Sequence, residues 1–493
     1  MKINCRKYLT YVNNEVQKVI RKEFINATLF MFGLYTFAII GIIRADILYW
    51  DDLNRKITGY RGWVDWGRHI SEFLAVFLHA DTYMIDISPL TQITAALFMA
   101  IASVLLVYVT SGGKVTKTAC LLALPMGLSP YFLECFSYRF GAEGMALSVL
   151  VSIVPFLFIR NYTVFSVSSI ISQLIMCMTY QASSGIYIII VIMLCFKAWN
   201  ERKKTNREIF RFAVVSALSY CVAMIFFRVV LVPGNNNDRY WLLATGILPI
   251  NGFFAGIINN FVSYMKHVNE DFALIWKFLL FILCLTFIIA SVLFTKRNRI
   301  VALIVSFMVV TAMSVMSFGV YLALATPMFF PRTLLGFGVF IACIAVYLSN
   351  IPKKIVLLPA VLLCWCFFVF SFTYGNALSE QKRYNNFRTE ILLHDLSMLF
   401  PEKTEYPLLI RLVNSEGFAP SIRNISLRNP VIRRLVPINL EQGNIWGYIF
   451  LTSYYNFNLQ MYEGIEEDGS NVLFDTQYHT IKIDSMGVFV ILK

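Results

Sequence analysis

Charge is scarce in this chain of 493 residues. Asp, Glu, Lys and Arg together make up 14%, against about 25% in a soluble globular domain. Hydrophobic residues make up 58% and mean hydropathy is +0.65. A water-soluble enzyme of this composition could not cover its own surface, so a cytosolic globular protein and a disordered chain are both excluded. Histidine is rare, with five in the whole chain. Cysteine occurs ten times, almost always inside apolar runs, and not at all after Cys366. A disulfide scaffold would set its cysteines in polar loops. Cys364-Trp365-Cys366 is one residue too close for a CxxC redox pair. The cysteines read as small apolar core residues. There is no internal repeat and no low-complexity tract. Gly112-Gly113-Lys114 lacks the rest of a P-loop and reads as a turn.

What the chain does have is long apolar runs. A membrane helix needs about 20 apolar residues. Runs of suitable composition lie near 25–43, 89–109, 119–133, 145–159, 164–180, 184–197, 212–232, 273–295, 300–320, 333–349 and 354–374. The expected fold is mainly α: a polytopic transmembrane helical bundle of about eleven spans. The segment Leu248–Met265 is apolar but interrupted by Pro249, Asn251, Asn259 and Asn260. It reads as an interfacial helix.

The net charge of +13, taken alone, suggests a nucleic-acid partner. Its distribution says otherwise. Basic residues collect before the first run, at Lys114/Lys117, Arg160, Lys197–Arg211, Lys296–Arg299 and Lys353/Lys354. By parity of the runs these segments share one face, with twenty basic residues against four acidic ones. The positive-inside rule makes that face cytoplasmic, so no nucleic acid is implied. Eleven spans put the N-terminus inside and the C-terminus outside. The first run is too long and lacks a clear small-residue cleavage site, so it reads as a signal anchor.

Residues 375–493 change character, with 11 Lys+Arg, 13 Asp+Glu and no full apolar run. Helical periodicity over 376–400 and strand-like stretches at Tyr406–Val413, Tyr478–Ile483 and Val488–Leu492 predict a small outer α/β domain. The expected organisation is a transmembrane domain over 1–374, with a first outer loop at 44–88, and the outer domain over 375–493.

Span centres are nearly free of ionisable groups, which argues against an ion path. Polar residues crowd the outer mouths instead. The first outer loop is densest, with Trp50-Asp51-Asp52-Leu53-Asn54-Arg55, Arg61-Gly62-Trp63 and Trp66-Gly67-Arg68-His69. Two adjacent carboxylates near a low-dielectric region repel, which raises the pKa of one. Such a group serves as a general base towards a hydroxyl, or the pair holds a divalent cation. A solvated acidic turn is the plain alternative, and an interfacial aromatic belt is the plain alternative for the tryptophans. The second outer loop carries Ser129–Glu134 and Ser137-Tyr138-Arg139-Phe140, the third turn Tyr180-Gln181-Ala182-Ser183, and a later one Pro331-Arg332. Arg139 and Arg332 together suit a phosphate at the outer leaflet.

In order and spacing, Asp51–Arg55, Ser129–Glu134 with Ser137–Phe140, Tyr180–Ala182, Pro331-Arg332, Tyr374-Gly375-Asn376-Ala377-Leu378, Asn429-Pro430 and Arg434–Pro437 resemble the serotype-converting O-antigen glucosyltransferases of bacteria and phages. The resemblance covers nearly the whole chain. One departure is Gly141-Ala142, where the family pattern leads one to expect an aspartate.

The resemblance implies a GT-C-type glycosyltransferase in the bacterial inner membrane. Its donor is undecaprenyl-phosphate glucose and its acceptor is O-antigen of lipopolysaccharide. A flippase and a donor-lipid synthase are its functional partners. Asp51 or Asp52 is the expected base for an inverting transfer. Arg68, Arg139 and Arg332 are the expected holders of the donor phosphate. Arg55, Trp63, Trp66, Glu134, Tyr138, Gln181, Gln381, Tyr384 and Asp395 are the expected sugar and acceptor contacts. The resemblance names no certain cofactor, and a divalent cation at the aspartate pair stays open. The rival of another class is a lipid-linked sugar flippase, which would carry charges along its span interiors and an internal repeat.

Overall fold

The structure is a computed structural model that describes residues 2–232, 245–401, 406–462, 470–485 and 487–493. It is mainly helical. A polar helix, α1 (Lys2–Val19), lays Tyr11, Val12 and Val16 against the membrane core. Then follow α2 (Lys22–Ala45), the short α3 (Asp52–Thr58) and α4 (His69–His79), and α5 (Leu90–Thr110). Next come a bent pair, α6 (Lys117–Leu128) and α7 (Pro130–Ser137), and the shorter α8 (Ala142–Phe158) and α9 (Tyr162–Cys177). After them stand α10 (Gln181–Asn200), α11 (Asn206–Leu231), α12 (Phe253–Asp271), α13 (Leu274–Leu293), α14 (Arg299–Met316), α15 (Pro331–Ser349) and α16 (Lys354–Leu399).

Among the described residues eight helices are long and apolar enough to cross a membrane, and the α6–α7 pair, bent by 65°, makes up to nine. The two runs left over from the expected eleven are α8 and α9, which are helical and apolar but short. The α6–α7 bend falls at Ser129-Pro130. Proline has no N–H to continue the ladder and its ring clashes with the preceding turn. The segment Leu248–Met265, expected as a helix, forms most of α12, shifted a few residues along. The helix buries Asn260, Tyr264 and Val268 and exposes Phe254, Ile258 and Val262.

The bundle has two chemically different ends. At one, side chains of Thr116, Asn161, Thr205 and Asn298 cap the starts of α6, α9, α11 and α14. Each satisfies a backbone N–H that the first turn leaves unpaired. Basic residues tie these connections together. Lys197 donates to the Thr110 carbonyl, Arg297 to the Trp199 carbonyl at 3.1 Å, and Arg211 sits over the Tyr162 ring. At the other end, α3, α4 and the loops after α7, α9 and α14 surround a large cavity.

Helices in a bilayer gain little from hydrophobic exclusion, so close packing must hold them. Gly41 of α2 meets Gly375 of α16 backbone to backbone: a Cβ on Gly375 would come within 2.4 Å of the Gly41 carbonyl carbon. A Cβ on Gly185 or Gly336 would strike the carbonyl oxygens of Met316 and Ser317, at 2.1 and 2.2 Å.

The boundary expected at 374/375 falls inside α16, which runs unbroken from the apolar bundle into the C-terminal domain, called outer after its expected side. Its far end places Leu392 and Leu396 in the outer core with Ile410, Leu412, Ile481 and Val490. The outer domain adds helices α17 (Pro420–Arg428), α18 (Ile432–Leu435) and α19 (Ile445–Ile449). Its strands are β1 (Leu408–Val413), β2 (Leu459–Met461), β3 (Asn471–Asp475), β4 (His479–Ile483) and β5 (Val488–Leu492), in the order β2-β1-β5-β4-β3. β1 runs parallel to β2 and β5, whereas β4 pairs antiparallel with β3 and β5. The three expected strand stretches are β1, β4 and β5.

Candidate functional site

The cavity holds about 970 Å³. The expected residues that line it are Asp51, Asp52, Arg55, Trp63, Trp66, Arg68, Tyr138, Gln181 and Arg332. One flank is aliphatic, with Met224, Ile225, Val229, Ile247 and Leu324. The cavity's charged lining residues are Asp51, Asp52, Arg55, Arg68, Arg228 and Arg332.

The chain turns sharply into the site. Trp50 has a left-handed backbone (φ 50), uncommon for a bulky residue, and α3 starts just after it. Asp52, 1% exposed, is fixed through one oxygen. Its Oδ2 accepts from the Arg139 N–H at 2.8 Å and from the Tyr49 N–H at 3.3 Å. Its Oδ1 is buried without a partner. Burial pushes the Asp52 carboxyl up to about 8, and the neighbouring charge of Asp51 adds to the shift. Asp51 is different: it is 41% exposed at its side chain and pairs with Arg55 at 3.3 Å. Arg55 also lies over the Trp63 ring at 4.2 Å. The expected inequality of the two carboxylates is therefore present, with Asp52 as the raised one.

Further cations of the lining are Arg68, Arg228 and Arg332. Arg68 donates Nε–H to Gln181 Oε1 at 3.0 Å, while Gln181 Nε2 donates to the Trp66 carbonyl. Burial pulls the Arg68 guanidinium below its ordinary value, and the positive charge of Arg332 pulls the same way. Arg332 donates to Glu134 Oε1 at 2.9 Å and lies over the rings of Phe330 and Tyr138. Glu134, 1% exposed, thus supports Arg332 from beneath. Arg228 is exposed on a π-helical turn at the outer end of α11. Among the described residues neither Arg68 nor Arg228 has a carboxylate within ion-pair range.

Five expected contacts do not line the cavity: Glu134, behind Arg332, and four others. Arg139 does not offer its guanidinium to the cavity. That group donates to the Ile47 carbonyl at 3.0 Å, to Asp86 at 2.7 Å and to Asp46. What Arg139 gives the site is its backbone N–H, to Asp52. Gln381 accepts from the Ala419 N–H and donates to the Gly417 carbonyl. Tyr384 bonds to Arg388 and the Glu416 carbonyl. Asp395 lies 3.1 Å from both His394 and His479. These three join α16 to the outer domain.

Arg228, Asn444 and Trp446 line the cavity but were not singled out from the sequence. An arginine closing an apolar run of α11 was the signal available for the first. The other two sit in a tail whose approach to the membrane is a tertiary matter. Among the described residues no group of three His, Cys, Asp or Glu side chains assembles to hold a metal ion.

Comparison with known proteins adds the following. The family model described as glucosyl transferase GtrII matches residues 40–349, well over half of the chain. The match contains the cavity walls from Trp50 to Thr333 and ends before α16 and the outer domain. A curated protein of Salmonella phage P22, described as an uncharacterized 55.3 kDa protein in the gtrB 5' region, is 25% identical over 477 residues. That similarity spans 91% of this chain and 95% of the phage protein. No solved structure matches.

Proposed function

The chain belongs to the GtrII glucosyl transferase family, and on that basis we propose that it transfers glucose from undecaprenyl-phosphate glucose to O-antigen polysaccharide. The reaction takes place at the periplasmic face of the bacterial inner membrane and changes the serotype. The observation that carries this reading is Asp52: buried, held through Oδ2, its Oδ1 without a partner, in a residue that lines a cavity also carrying arginines.

The chemistry is a single displacement. The acceptor hydroxyl oxygen attacks the anomeric carbon as the bond from that carbon to the phosphate oxygen breaks. Asp52 Oδ1 takes the hydroxyl proton, which serves as general base catalysis. The lipid phosphate leaves with one more negative charge than it had as a diester. Arg68, Arg228 and Arg332 meet that charge where it develops, the arrangement that contributes most in a water-poor site. Attack from the face opposite the phosphate inverts the anomeric centre. The aliphatic flank of Met224, Ile225, Val229 and Ile247 suits the polyprenyl tail, while Trp63, Trp66 and Tyr138 face sugar. On this reading the basic end of the bundle is cytoplasmic. A synthase and a flippase must then deliver the donor to the outer face.

The test is donor choice in membranes containing the full chain. With labelled polyprenyl-phosphate glucose, label is expected in lipopolysaccharide. With a labelled nucleotide sugar and no lipid donor, none is expected. Transfer from the nucleotide sugar alone overturns the reading.

A further inference from the structure

Beside the large cavity lies a second, narrower cleft, where the first outer loop meets the outer domain. Trp50, Asn444 and Trp446 line both spaces. Since Trp50 directly precedes Asp51, the shared wall adjoins the carboxylate pair.

The two spaces differ in what they offer a ligand. In the cleft the charges are matched internally. Lys56 pairs with Asp86 at 3.0 Å, Lys382 with Asp46 at 2.8 Å, and Arg139 with both aspartates. Burial pushes the Asp46 carboxyl up, but Lys382 and Arg139 outweigh it and hold the group below its ordinary value. What the cleft leaves open is uncharged. Asn386 and Asn439 line it, and among the described residues neither carboxamide has a partner. Each supplies two donors and an acceptor. The rings of Trp50, Trp446 and Tyr454 add apolar faces. The large cavity has the opposite character, with two guanidinium groups, Arg68 and Arg228, that no carboxylate matches among the described residues, and aliphatic lining residues.

We propose that this cleft is the acceptor subsite. It takes uncharged sugar units of an oligosaccharide and passes one hydroxyl by Trp50 and Trp446 towards Asp52. Carboxamides meet the hydroxyls and ring faces meet the C–H faces of the sugars. The assignment rests on the glucosyl-transfer reading above, and it separates the routes of the two substrates. The lipid donor reaches the cavity from the aliphatic flank, and the polymer from between the first loop and the outer domain.

The test uses Asn386→Ala and Tyr454→Ala, which line the cleft and not the large cavity. In membranes with the full chain, each is expected to raise the acceptor KM about five-fold or more, the loss of roughly one hydrogen bond or ring contact. The donor KM and kcat are expected to stay at wild-type values. An unchanged acceptor KM in both variants, or a donor KM that rises in parallel, overturns the assignment. A second readout needs no turnover: oligosaccharide released from lipopolysaccharide is titrated into the purified chain and followed by intrinsic tryptophan fluorescence. A saturable change in the wild type, weakened in both variants, supports the cleft even if no glucose is transferred, and in that case only the glucosyl-transfer reading fails. Glucose transfer by a chain whose titration the variants leave unaltered removes the cleft and keeps the reaction.

Discussion

At the scale of single residues, Asp52 is the group around which the site is built. Its folded-state pKa lies near 8, well above the ordinary carboxylate range, chiefly because it is buried. The sign of the linkage follows from that. The fold binds the Asp52 proton more tightly than the unfolded chain does. The corresponding stability is full at pH values below the ordinary carboxylate pKa and is lost as pH rises through about 8. Asp52→Asn carries no such charge, and its amide oxygen can still accept from the Tyr49 and Arg139 N–H groups. Thermal unfolding in detergent is therefore expected to show Asp52→Asn at least as stable as wild type at pH 9, with the gap narrowing at pH 5. A variant that melts lower than wild type at pH 9 would contradict the burial of a charged Asp52. The adjacent carboxylates were visible in the sequence, and so was their inequality. The role of Arg139 was not. Its guanidinium meets Asp46 and Asp86, which lie 93 and 53 residues away along the chain. Only the fold decides whether an arginine is matched or free.

At the scale of elements, the geometry of the first outer loop depends on how α2 meets α16. The crossing at Gly41 and Gly375 leaves no room for a side chain on Gly375, since its Cβ would lie 2.4–2.8 Å from backbone atoms of Gly41 and Ile42. Gly375→Ala is expected to lower stability by about 1–3 kcal/mol, the usual cost of overpacking. It should also reduce transfer, because α2 leads directly into Asp46–Asp52. Gly33→Ala on the same α2 is the control, because nothing lies within 4 Å of its Cβ, and its melting temperature is expected to match wild type. Equal melting of the two variants would show that the crossing is not tight. Hydropathy made the helices legible but not their breaks. Ser129-Pro130 turns one expected run into the bent α6–α7 pair. The expected domain boundary at 374/375 falls within α16 because helical periodicity continues from Tyr374 through Leu396, and nothing in the local pattern requires a stop.

At the scale of the whole molecule, the uneven spread of charge is the ground for the proposed orientation. The basic connections gather at one end of the bundle and the cavity opens at the other. On the proposed orientation, which follows the positive-inside rule, the basic end is cytoplasmic. A phosphatase that works only in the periplasm is expected to be active when fused to the C-terminus and inactive when fused after Lys204. The reverse pattern would invert the membrane orientation and place the cavity on the wrong face for a periplasmic acceptor. The family match ends at residue 349, so the outer domain, with the wall it gives the cleft, lies beyond what the match describes. The measurement that tests the central claim most directly is the pH dependence of glucose transfer from polyprenyl-phosphate glucose to lipopolysaccharide, by wild type and Asp52→Asn. A base must be unprotonated, so wild-type kcat/KM is expected to rise with pH and level off above about 8. Asp52→Asn is expected to lose about 100-fold or more of the rate, together with that rise. Transfer by Asp52→Asn at the wild-type rate, with the same pH profile, would contradict the account.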